Sequence, residues 1–437
     1  MAEKSRAERP QVVLVCGGRG TRLAPAIGDL PKVLAPLDGR PLLEHLLIDL
    51  TSLGEADVLL LAGVGGEQVA EAARRLAPPS LNVETLIEDR PLGTAGALHL
   101  LADRLRDRFV FACGDLLTAL DWGRFWDHAV DRGGLATLLV HRSSHPEDSD
   151  LVILDDADRA VGWSRRGQHG SRAGGALGNA GVAVFHRDIL HYIPPDRPSD
   201  VFRDILPPRV DQRDPVHGYR TPEYVRDMGT PKRFASVAED LETGLVPRRA
   251  ELVLLDRDGV INEDVHLLTR PEDLKLIPGA ARAIRRFNKA GIKTAVITNQ
   301  SVVARGLCSL DELERIHERL RQLLAAEGAY LDRIYFCPCH PETHHGEGVV
   351  ELRGPCACRK PSVELVDRAL EDLGVIPWRS IVIGDRTSDM QLAVNAGLAA
   401  IGVDTGMALR DGKCPAQPVW RFADLDAASI WLLGSDS

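Results

Sequence analysis

Short runs of apolar residues, each ending in a turn rich in glycine or aspartate, recur along the chain. The first half contains QVVLVCGGRG from residue 11, then VLLLAGV, FVFACGD, LATLLV and GVAVF; the second half contains ELVLLDRDG from residue 251, then KTAVITNQ, RIYFC and SIVIGD. Near-continuous apolar runs of this length are typical of strands buried in a parallel sheet. Such strands, separated by segments long enough for helices, predict an α/β fold.

One helix is especially clear, over residues 309–326. Ser309 and Glu312 have the spacing of a capping box, leucines recur at helical intervals, and Gly328 follows as a stop signal. The sequence therefore predicts both ends of this helix.

Two domains are predicted, because both halves begin with the same strand-and-turn pattern. The 437 residues also exceed the ~100–200 of an ordinary domain, and the segment ETGLVPRRA between the halves has no periodicity. We expect a flexible tail over 1–10, a first domain over 11–242, a linker over 243–250 and a second domain over 251–437. Each domain is expected to be a mostly parallel sheet flanked by helices.

Composition and charge narrow the classes of function. Hydrophobic residues make up 44% of the chain and the formal net charge is −10, which is typical of a globular protein that would repel nucleic acid. No apolar run approaches the ~20 residues of a membrane span, and the N-terminal MAEKSRAERP lacks the apolar region of a signal peptide. We therefore expect a cytoplasmic protein with small-molecule substrates and no nucleic-acid or membrane partner; a homo-oligomer stays open.

Acidic residues follow two predicted strands of the second half. LLDRDGVIN brings Asp256 and Asp258 to a strand end, and IVIGDRTSDM brings Asp385, with Asp389 one helical turn later. Parallel sheets bind their ligands at the carboxyl ends of the strands. Two carboxylates there can hold Mg²⁺, and one can attack phosphorus while the other moves a proton.

Hydroxyl, amide and ammonium donors lie between these acids in sequence. VITNQS contains Thr298, Asn299, Gln300 and Ser301, and CRKP contains Lys360. Small donors at a strand end suit phosphoryl oxygens, and a lysine can neutralise charge that develops during phosphoryl transfer. The combination predicts a phosphoryl-transfer site.

Four of the eight cysteines are close in sequence. They occur in FCPCHPE and CACRKP as Cys337, Cys339, Cys356 and Cys358. Two C-x-C pairs across a loop supply the four soft ligands of a tetrahedral Zn²⁺ site. With four protein ligands the zinc would be structural and would hold the loop that carries Lys360. A site that uses His340 in place of Cys339 stays open.

The order DxDG, TNQS, RKP and GD resembles the haloacid-dehalogenase-like phosphatases. The strings DRDGVIN, TNQSxxARG and CxCRKP resemble their D-glycero-D-manno-heptose 1,7-bisphosphate phosphatase branch. The resemblance implies that Asp256 forms an aspartyl-phosphate and that Asp258 is the general acid/base. It also implies Mg²⁺ on Asp256, Asp385 and the carbonyl of Asp258, with Thr298 and Lys360 steadying the phosphoryl group.

The same resemblance implies a sugar-phosphate pocket. The residues expected to contact the substrate are Asp264, His266, Asn299, Gln300, Ser301, Arg359 and Arg386. Residues 264–267 read DVHL where relatives carry a Gly-Tyr pattern, and Val302 stands where glycine is common. These two departures bear on the choice of sugar and leave the phosphatase chemistry intact.

Glycine turns and two further acids mark the first half. The turn after the first strand contains Gly17, Gly18, Gly20, Thr21 and Arg22. Glycines there let backbone N–H groups approach phosphates, although the P-loop Lys-Ser/Thr and the third glycine of a dinucleotide fingerprint are missing. Lys32 precedes an amphipathic helix, Asp115 ends a buried strand and Asp227 lies in VRDMGTP. Two acids beside glycine turns suit a Mg²⁺ that bridges phosphates.

This combination resembles the sugar-phosphate nucleotidyltransferases. The resemblance implies that the turn over residues 17–22 wraps a nucleoside triphosphate, that Lys32 assists the departure of pyrophosphate, and that Asp115 and Asp227 hold Mg²⁺.

Two further turns carry the expected base and sugar contacts. By the same resemblance the turn with Gly93 and Thr94 reads the base, and Asn179 and Gly181 contact the sugar. Where many relatives show Glu-Lys, this chain has GWSRRG. Either Arg165 or Arg166 then supplies the cation, or the cationic role is lost.

The two resemblances fit one pathway. Removing the 7-phosphate of a heptose 1,7-bisphosphate leaves a heptose 1-phosphate, which is the type of substrate a nucleotidyltransferase consumes. We therefore expect a bifunctional enzyme that makes an NDP-heptose, with GTP as the donor by pathway analogy. The alternative is a phosphatase of histidinol phosphate or another sugar phosphate, joined to a degenerate, nucleotide-sensing N-terminal domain.

Overall fold

The computed structural model describes residues 9–17, 22–141, 150–165, 177–195, 197–246, 250–341, 348–375 and 377–433. This part of the chain divides into two compact units. The first unit comprises the described residues between 9 and 246 except 220–222. The second unit comprises the described residues between 250 and 433 together with residues 220–222.

The first unit is built on a nine-stranded sheet and two small ribbons. Its strands are β1 (Gln11–Cys16), β2 (Pro36–Leu37), β3 (Arg40–Pro41), β4 (Ala56–Ala62), β5 (Leu81–Ile87), β6 (Arg108–Cys113), β7 (Leu116–Ala119), β8 (Ala136–His141), β9 (Leu151–Leu154), β10 (Ala160–Ser164), β11 (Leu177–His186), β12 (Val216–Arg220) and β13 (Tyr224–Asp227). Its helices are α1 (Ala24–Ile27), α2 (Leu42–Leu50), α3 (Gly66–Leu76), α4 (Gly93–Leu100), α5 (Trp122–Arg132), α6 (Leu206–Asp211) and α7 (Pro231–Glu242).

The nine-stranded sheet has a parallel part and an antiparallel part. Strands β5, β4, β1 and β6 lie side by side and parallel. Strand β11 then pairs antiparallel with β6, and β8 and β9 both pair with β11. The runs LATLLV and GVAVF, which the apolar pattern places among parallel strands, are therefore antiparallel. A run that is apolar throughout reports burial on both faces of the sheet, and it carries no information about strand direction.

The second unit is a six-stranded sheet in which every pair is parallel. Its strands are β14 (Leu252–Leu255), β15 (Lys293–Asn299), β16 (Arg333–Cys337), β17 (Ser380–Gly384), β18 (Ala399–Val403) and β19 (Trp420–Phe422), in the spatial order β16-β15-β14-β17-β18-β19. The helices are α8 (Ala280–Lys289), α9 (Leu310–Ala326), α10 (Glu364–Leu373), α11 (Thr387–Ala396) and α12 (Leu425–Leu433).

The predicted α/β class and the predicted capped helix are confirmed. At the start of α9 the Ser309 hydroxyl accepts from the Glu312 N–H, and the Glu312 carboxylate accepts from the Ser309 N–H. These bonds satisfy two of the donors that a helix start leaves unpaired. Of the helices described above, none combines the length and the apolar character needed to cross a bilayer.

Candidate active sites

The first site lies where the strand order of the first sheet reverses, between β1 and β6. These strands are parallel neighbours, with Val15 opposite Cys113. Open α/β sheets bind ligands in the crevice at such a reversal. The glycine turn follows β1 and Asp115 follows β6. Gly17 is described, whereas Gly18, Gly20 and Thr21 lie outside the described residues.

Strand pairing places Asp227 beside Asp115. Strands β7 and β13 are antiparallel with Leu116 opposite Asp227, and the Met228 N–H donates to the Asp115 carbonyl at 2.9 Å. The Asp115 carboxylate lies 2.5 Å from the Lys32 ammonium, and the Asp227 carboxylate accepts from Arg233 at 2.8 Å. Each acid therefore faces one cation.

Gly229 marks the point where the predicted groups meet. A Cβ atom on this glycine would lie 3.1 Å from the Asp227 carboxylate, 3.6 Å from the Arg22 guanidinium and 3.8 Å from the Lys32 ammonium. The structure thus brings Arg22, Lys32, Asp115 and Asp227 together. Two carboxylate groups and two cations around a backbone without a side chain form a cradle of suitable chemistry for a metal-bound polyphosphate.

The turn predicted to read the base is held by backbone and side-chain contacts. Gly93 has φ +73°, and a Cβ atom there would lie 2.4 Å from the Ser199 carbonyl oxygen, so only glycine fits. The Thr94 hydroxyl donates to Asp200 at 3.0 Å and accepts from the Val201 N–H at 2.9 Å. The Thr94 side chain therefore orders the turn.

The remaining predicted residues of this unit are more dispersed. The Asn179 side chain accepts from the Gly181 N–H, and Gly181 lies beside Cys113 at the end of β6. Arg165 is exposed and lies 3.4 Å from the carbonyl of Arg203. Arg166 lies outside the described residues.

Glu88 adds a group that sequence reasoning missed. A Cβ atom on Gly17 would lie 3.2 Å from its carboxylate, and burial raises the pKa of Glu88 despite a backbone hydrogen bond from Leu92. No local pattern around Glu88 distinguishes it from the other acids of the segment.

The second site lies at the carboxyl ends of β14, β15 and β17. Asp256 follows β14, Thr298 is near the end of β15, and Asp385 follows β17. The carboxylates of Asp256, Asp385 and Asp389 lie within 4.8 Å of one another and all three residues are buried. The Lys360 ammonium lies 2.9 Å from Asp256 and 2.6 Å from Asp389.

The charges of this buried cluster shift the titration of its members. Burial, followed by the charge of Asp256, raises the pKa of Asp385 to about 8. Burial also raises the pKa of Asp389 to about 6, although Lys360 opposes the shift. For Lys360 burial would lower the pKa, but Asp256 and Asp389 outweigh it and the pKa rises. Three carboxylates thus share one positive charge.

The donor set suits a hard divalent cation. One Asp385 carboxylate oxygen accepts from the Met407 N–H at 2.7 Å, whereas the other is buried without a hydrogen-bond partner. A buried carboxylate oxygen without a donor, next to two further carboxylates, is the arrangement that Mg²⁺ satisfies.

Asp258 has different surroundings from Asp256. Its carboxylate accepts from the Arg257 guanidinium at 2.9 Å, from Asn262 at 2.8 Å and from Gln300 at 2.8 Å. Burial would raise the pKa of Asp258, but the Arg257 charge and these hydrogen bonds outweigh it and the pKa is lowered. The two aspartates of the motif therefore differ in charge environment, as residues with different roles require.

One cavity of roughly 370 Å³ gathers the predicted residues of this site. Those that line it are Asp256, Asp258, Asp264, His266, Thr298, Asn299, Gln300, Ser301, Arg359, Lys360 and Arg386. Asp385 is not among the lining residues, because it is fully buried behind Asp256 and Asp389.

Several of the predicted contact residues also fix their neighbours. The Asn299 side chain accepts from the Lys360 N–H at 3.0 Å and donates to the Lys360 carbonyl at 3.3 Å, which holds the lysine in the site. Arg386 pairs with Asp264 at 2.5 Å, and Asp264 accepts from the His266 N–H. The positive charge of Arg386 is therefore already balanced.

The four cysteines lie together beside the cavity. The sulfur atoms of Cys337, Cys339, Cys356 and Cys358 lie within 4.8 Å of one another. His340 is not part of this group, because its Nε2 lies 2.6 Å from the Arg305 guanidinium. The geometry therefore favours four thiolates over a set with His340, and four soft ligands fit Zn²⁺.

Asp389 is the member of this carboxylate cluster that the motifs left without a role. It lies 29 positions from its partner Lys360 in sequence, and only the fold joins them. The sequence feature that could have identified Asp389 is its position one helical turn after Asp385.

Comparison with known proteins assigns both units. Residues 11–244 match the nucleotidyl transferase family and residues 357–428 match the HAD-hydrolase-like family. The D-glycero-D-manno-heptose-1,7-bisphosphate 7-phosphatase of Thermosynechococcus vestitus is 42% identical over 194 residues, which are 43% of this chain and 96% of that protein.

Two further relatives match one half of the chain each. The D-glycero-beta-D-manno-heptose-1,7-bisphosphate 7-phosphatase of Rhodopseudomonas palustris is 41% identical over 157 residues, 36% of this chain and 84% of that protein. The mannose-1-phosphate guanylyltransferase of Mycobacterium tuberculosis is 31% identical over 240 residues, 54% of this chain and 66% of that protein.

Proposed function

We propose that this chain is a bifunctional enzyme of nucleotide-activated heptose biosynthesis. Residues 11–244 belong to the nucleotidyl transferase family, and the second half of the chain belongs to the heptose-bisphosphate 7-phosphatases. It would remove the 7-phosphate of a heptose 1,7-bisphosphate and transfer a nucleotidyl group to the heptose 1-phosphate. The observation that supports the proposal is that each unit has an acid that follows a parallel strand and a lysine paired with that acid, Asp256 with Lys360 in the second unit and Asp115 with Lys32 in the first.

In the phosphatase reaction an Asp256 carboxylate oxygen attacks phosphorus, and the bond from phosphorus to the sugar oxygen breaks. Asp258 gives its proton to the leaving alkoxide, and it later accepts a proton from the water that cleaves the aspartyl-phosphate. The approach of a phosphate dianion favours the protonated form of Asp258 that the first step needs. Lys360 and Thr298 contact the phosphoryl oxygens and balance their charge.

Metal ions complete both units in this proposal. Asp256, Asp385 and the backbone carbonyl of Asp258 would hold Mg²⁺, which supplies charge neutralisation at the phosphoryl group. The four cysteines would hold a structural Zn²⁺ that fixes the loop carrying Arg359 and Lys360.

In the nucleotidyl transfer a phosphate oxygen of the sugar 1-phosphate attacks the α-phosphorus in line, and pyrophosphate leaves. Arg22 and Lys32 would balance the charge on the departing group, and Asp115 and Asp227 would hold Mg²⁺. The clustering of Arg22, Lys32 and Asp227 around Gly229, with Asp115 paired to Lys32, supports an active domain over a degenerate sensing domain.

The decisive experiment supplies the protein with D-glycero-D-manno-heptose 1,7-bisphosphate and each nucleoside triphosphate in turn. We expect phosphate release without a nucleotide, and an NDP-heptose when GTP is added. Parallel assays on the α and β anomers, and on GTP against ATP, test the expected preference for the α anomer and GTP. If neither anomer released phosphate, the heptose assignment would be refuted.

A further inference from the structure

The backbone from Gln300 to Ala304 is held by the loop that carries the four cysteines. We call residues 337–341 and 348–358 the cysteine loop. The Gln300 N–H donates to the Cys337 carbonyl at 2.7 Å and the Ala304 N–H to the Pro338 carbonyl at 3.3 Å, while the Val349 N–H donates to the Ala304 carbonyl at 3.1 Å. Two stretches of the cysteine loop therefore hold the N–H and the carbonyl of Ala304. These hydrogen bonds fix the backbone position from which the next residue, Arg305, extends.

The Arg305 side chain lines the phosphatase cavity. Its Nη2 lies 2.6 Å from Nε2 of His340, which is only 7% exposed, and its Nε lies 3.5 Å from the Ser301 hydroxyl. A guanidinium has donors and no acceptor, so Nε2 of His340 must be the unprotonated acceptor. The contact leaves other N–H groups of Arg305 free to donate.

The cations that line the cavity differ in their partners. Lys360 is paired with Asp256, and Arg386 is paired with Asp264. Within the described ranges Arg305, Arg359 and Lys413 have no carboxylate partner. The Arg359 guanidinium donates to the Cys339 carbonyl at 2.8 Å, whereas Arg305 is held by the buried His340. A positioned guanidinium without a counter-ion is suited to bidentate binding of a phosphate group.

We propose that Arg305, positioned by His340, binds the second phosphate of a bisphosphorylated sugar, the one that is not hydrolysed. This inference rests on the proposed phosphatase function. It makes Arg305 a specificity-determining residue, because a sugar with a single phosphate has no group for it to bind.

The test compares hydrolysis of heptose 1,7-bisphosphate with hydrolysis of heptose 7-phosphate. In Arg305→Gln the ratio of kcat/KM for the bisphosphate to kcat/KM for the monophosphate should fall roughly tenfold to hundredfold, mainly through KM, as loss of a hydrogen bond to a charged group predicts. Arg319→Gln, which removes an exposed charge on α9, is the matched control and should keep the wild-type ratio.

Variants of His340 test how Arg305 is positioned. His340→Ala should lower the same ratio by a smaller factor at unchanged zinc content, and His340→Gln, which offers an amide oxygen to Arg305, should restore part of it. The exposed cation Lys413 also lines the cavity. A loss of the ratio in Lys413→Gln and not in Arg305→Gln would assign the second phosphate to Lys413 and overturn the proposal.

Two further outcomes separate the inference from its premise. Equal losses on both substrates in Arg305→Gln would show a structural role and would overturn only the assignment of Arg305. Failure of the wild-type protein to hydrolyse either substrate would overturn the proposed function together with this inference.

Discussion

Replacing Asp385 by asparagine should stabilise the metal-free protein while it removes phosphatase activity. The folded-state pKa of Asp385 is raised to about 8 by burial and by Asp256, against an ordinary value of 3.8. A raised pKa means that the folded state binds the proton more tightly. The stability contributed in this way is complete below the unfolded-state pKa and is lost as the pH rises through about 8.

The size of the effect follows from the shift. About four pKa units, at ~1.4 kcal/mol each, give an upper limit of about 6 kcal/mol for the cost of ionising Asp385 in the folded protein. Asp389 shares the same surroundings, so we expect Asp385→Asn to gain about 2–5 kcal/mol at pH 8 and about a third as much at pH 5, which lies only about one unit above the unfolded-state pKa. Added Mg²⁺ should stabilise the wild-type protein by mass action and should stabilise the variant much less.

Hydrogen exchange of peptides from β14 and β17, measured in Mg²⁺-free buffer that retains zinc, reports the stability of this unit separately from the first unit. Asp426→Asn is the control of opposite sign, because hydrogen bonds from Arg282 and then Arg286 lower the pKa of Asp426. That variant should lose stability at pH 8. If Asp385→Asn were as stable as the wild-type protein, or less stable, at pH 8 without metal, the electrostatic reasoning would be wrong.

The other predictions concern the two activities, the zinc site and the Gly93 turn. Asp256→Asn should abolish phosphate release and leave nucleotidyl transfer to supplied heptose 1-phosphate intact, and Asp115→Asn should do the reverse; loss of both reactions in either variant would contradict independent sites. Cys356→Ser should lower bound zinc below the expected one ion per chain, together with stability and phosphatase rate, as elemental analysis and assays can check. Gly93→Ala should reduce nucleotidyl transfer at least tenfold, measured as NDP-sugar formed, because its Cβ atom would lie 2.4 Å from the Ser199 carbonyl oxygen.

The grouping of residues at strand ends could be predicted from the sequence. The carboxyl ends of parallel strands meet at one edge of a sheet, so Asp256 and Asp385 had to be close once their strands were recognised. The cysteines were predictable for a different reason, because two C-x-C pairs bring their own ligands together locally.

What could not be predicted depends on contacts between distant parts of the chain. The pairing of Asp389 with Lys360 and the position of Glu88 beside Gly17 follow from the sheet order, which apolar runs do not encode. The same holds for the antiparallel half of the first sheet. The contact of His340 could not be predicted either. Its position next to Cys339 suggested a zinc ligand, whereas in the folded chain its ring nitrogen contacts Arg305.

The cysteine loop is closed at its base as well as by the cysteines. The His340 N–H donates to the Leu352 carbonyl at 2.9 Å, and the Gly354 N–H donates to the His340 carbonyl at 2.9 Å. The entropy of closing a loop rises slowly with its length, by only about 0.6 kcal/mol for each doubling. Lengthening the chain between His340 and Leu352 would therefore add little closure entropy, because hydrogen bonds and the cysteines already hold both ends of this segment together.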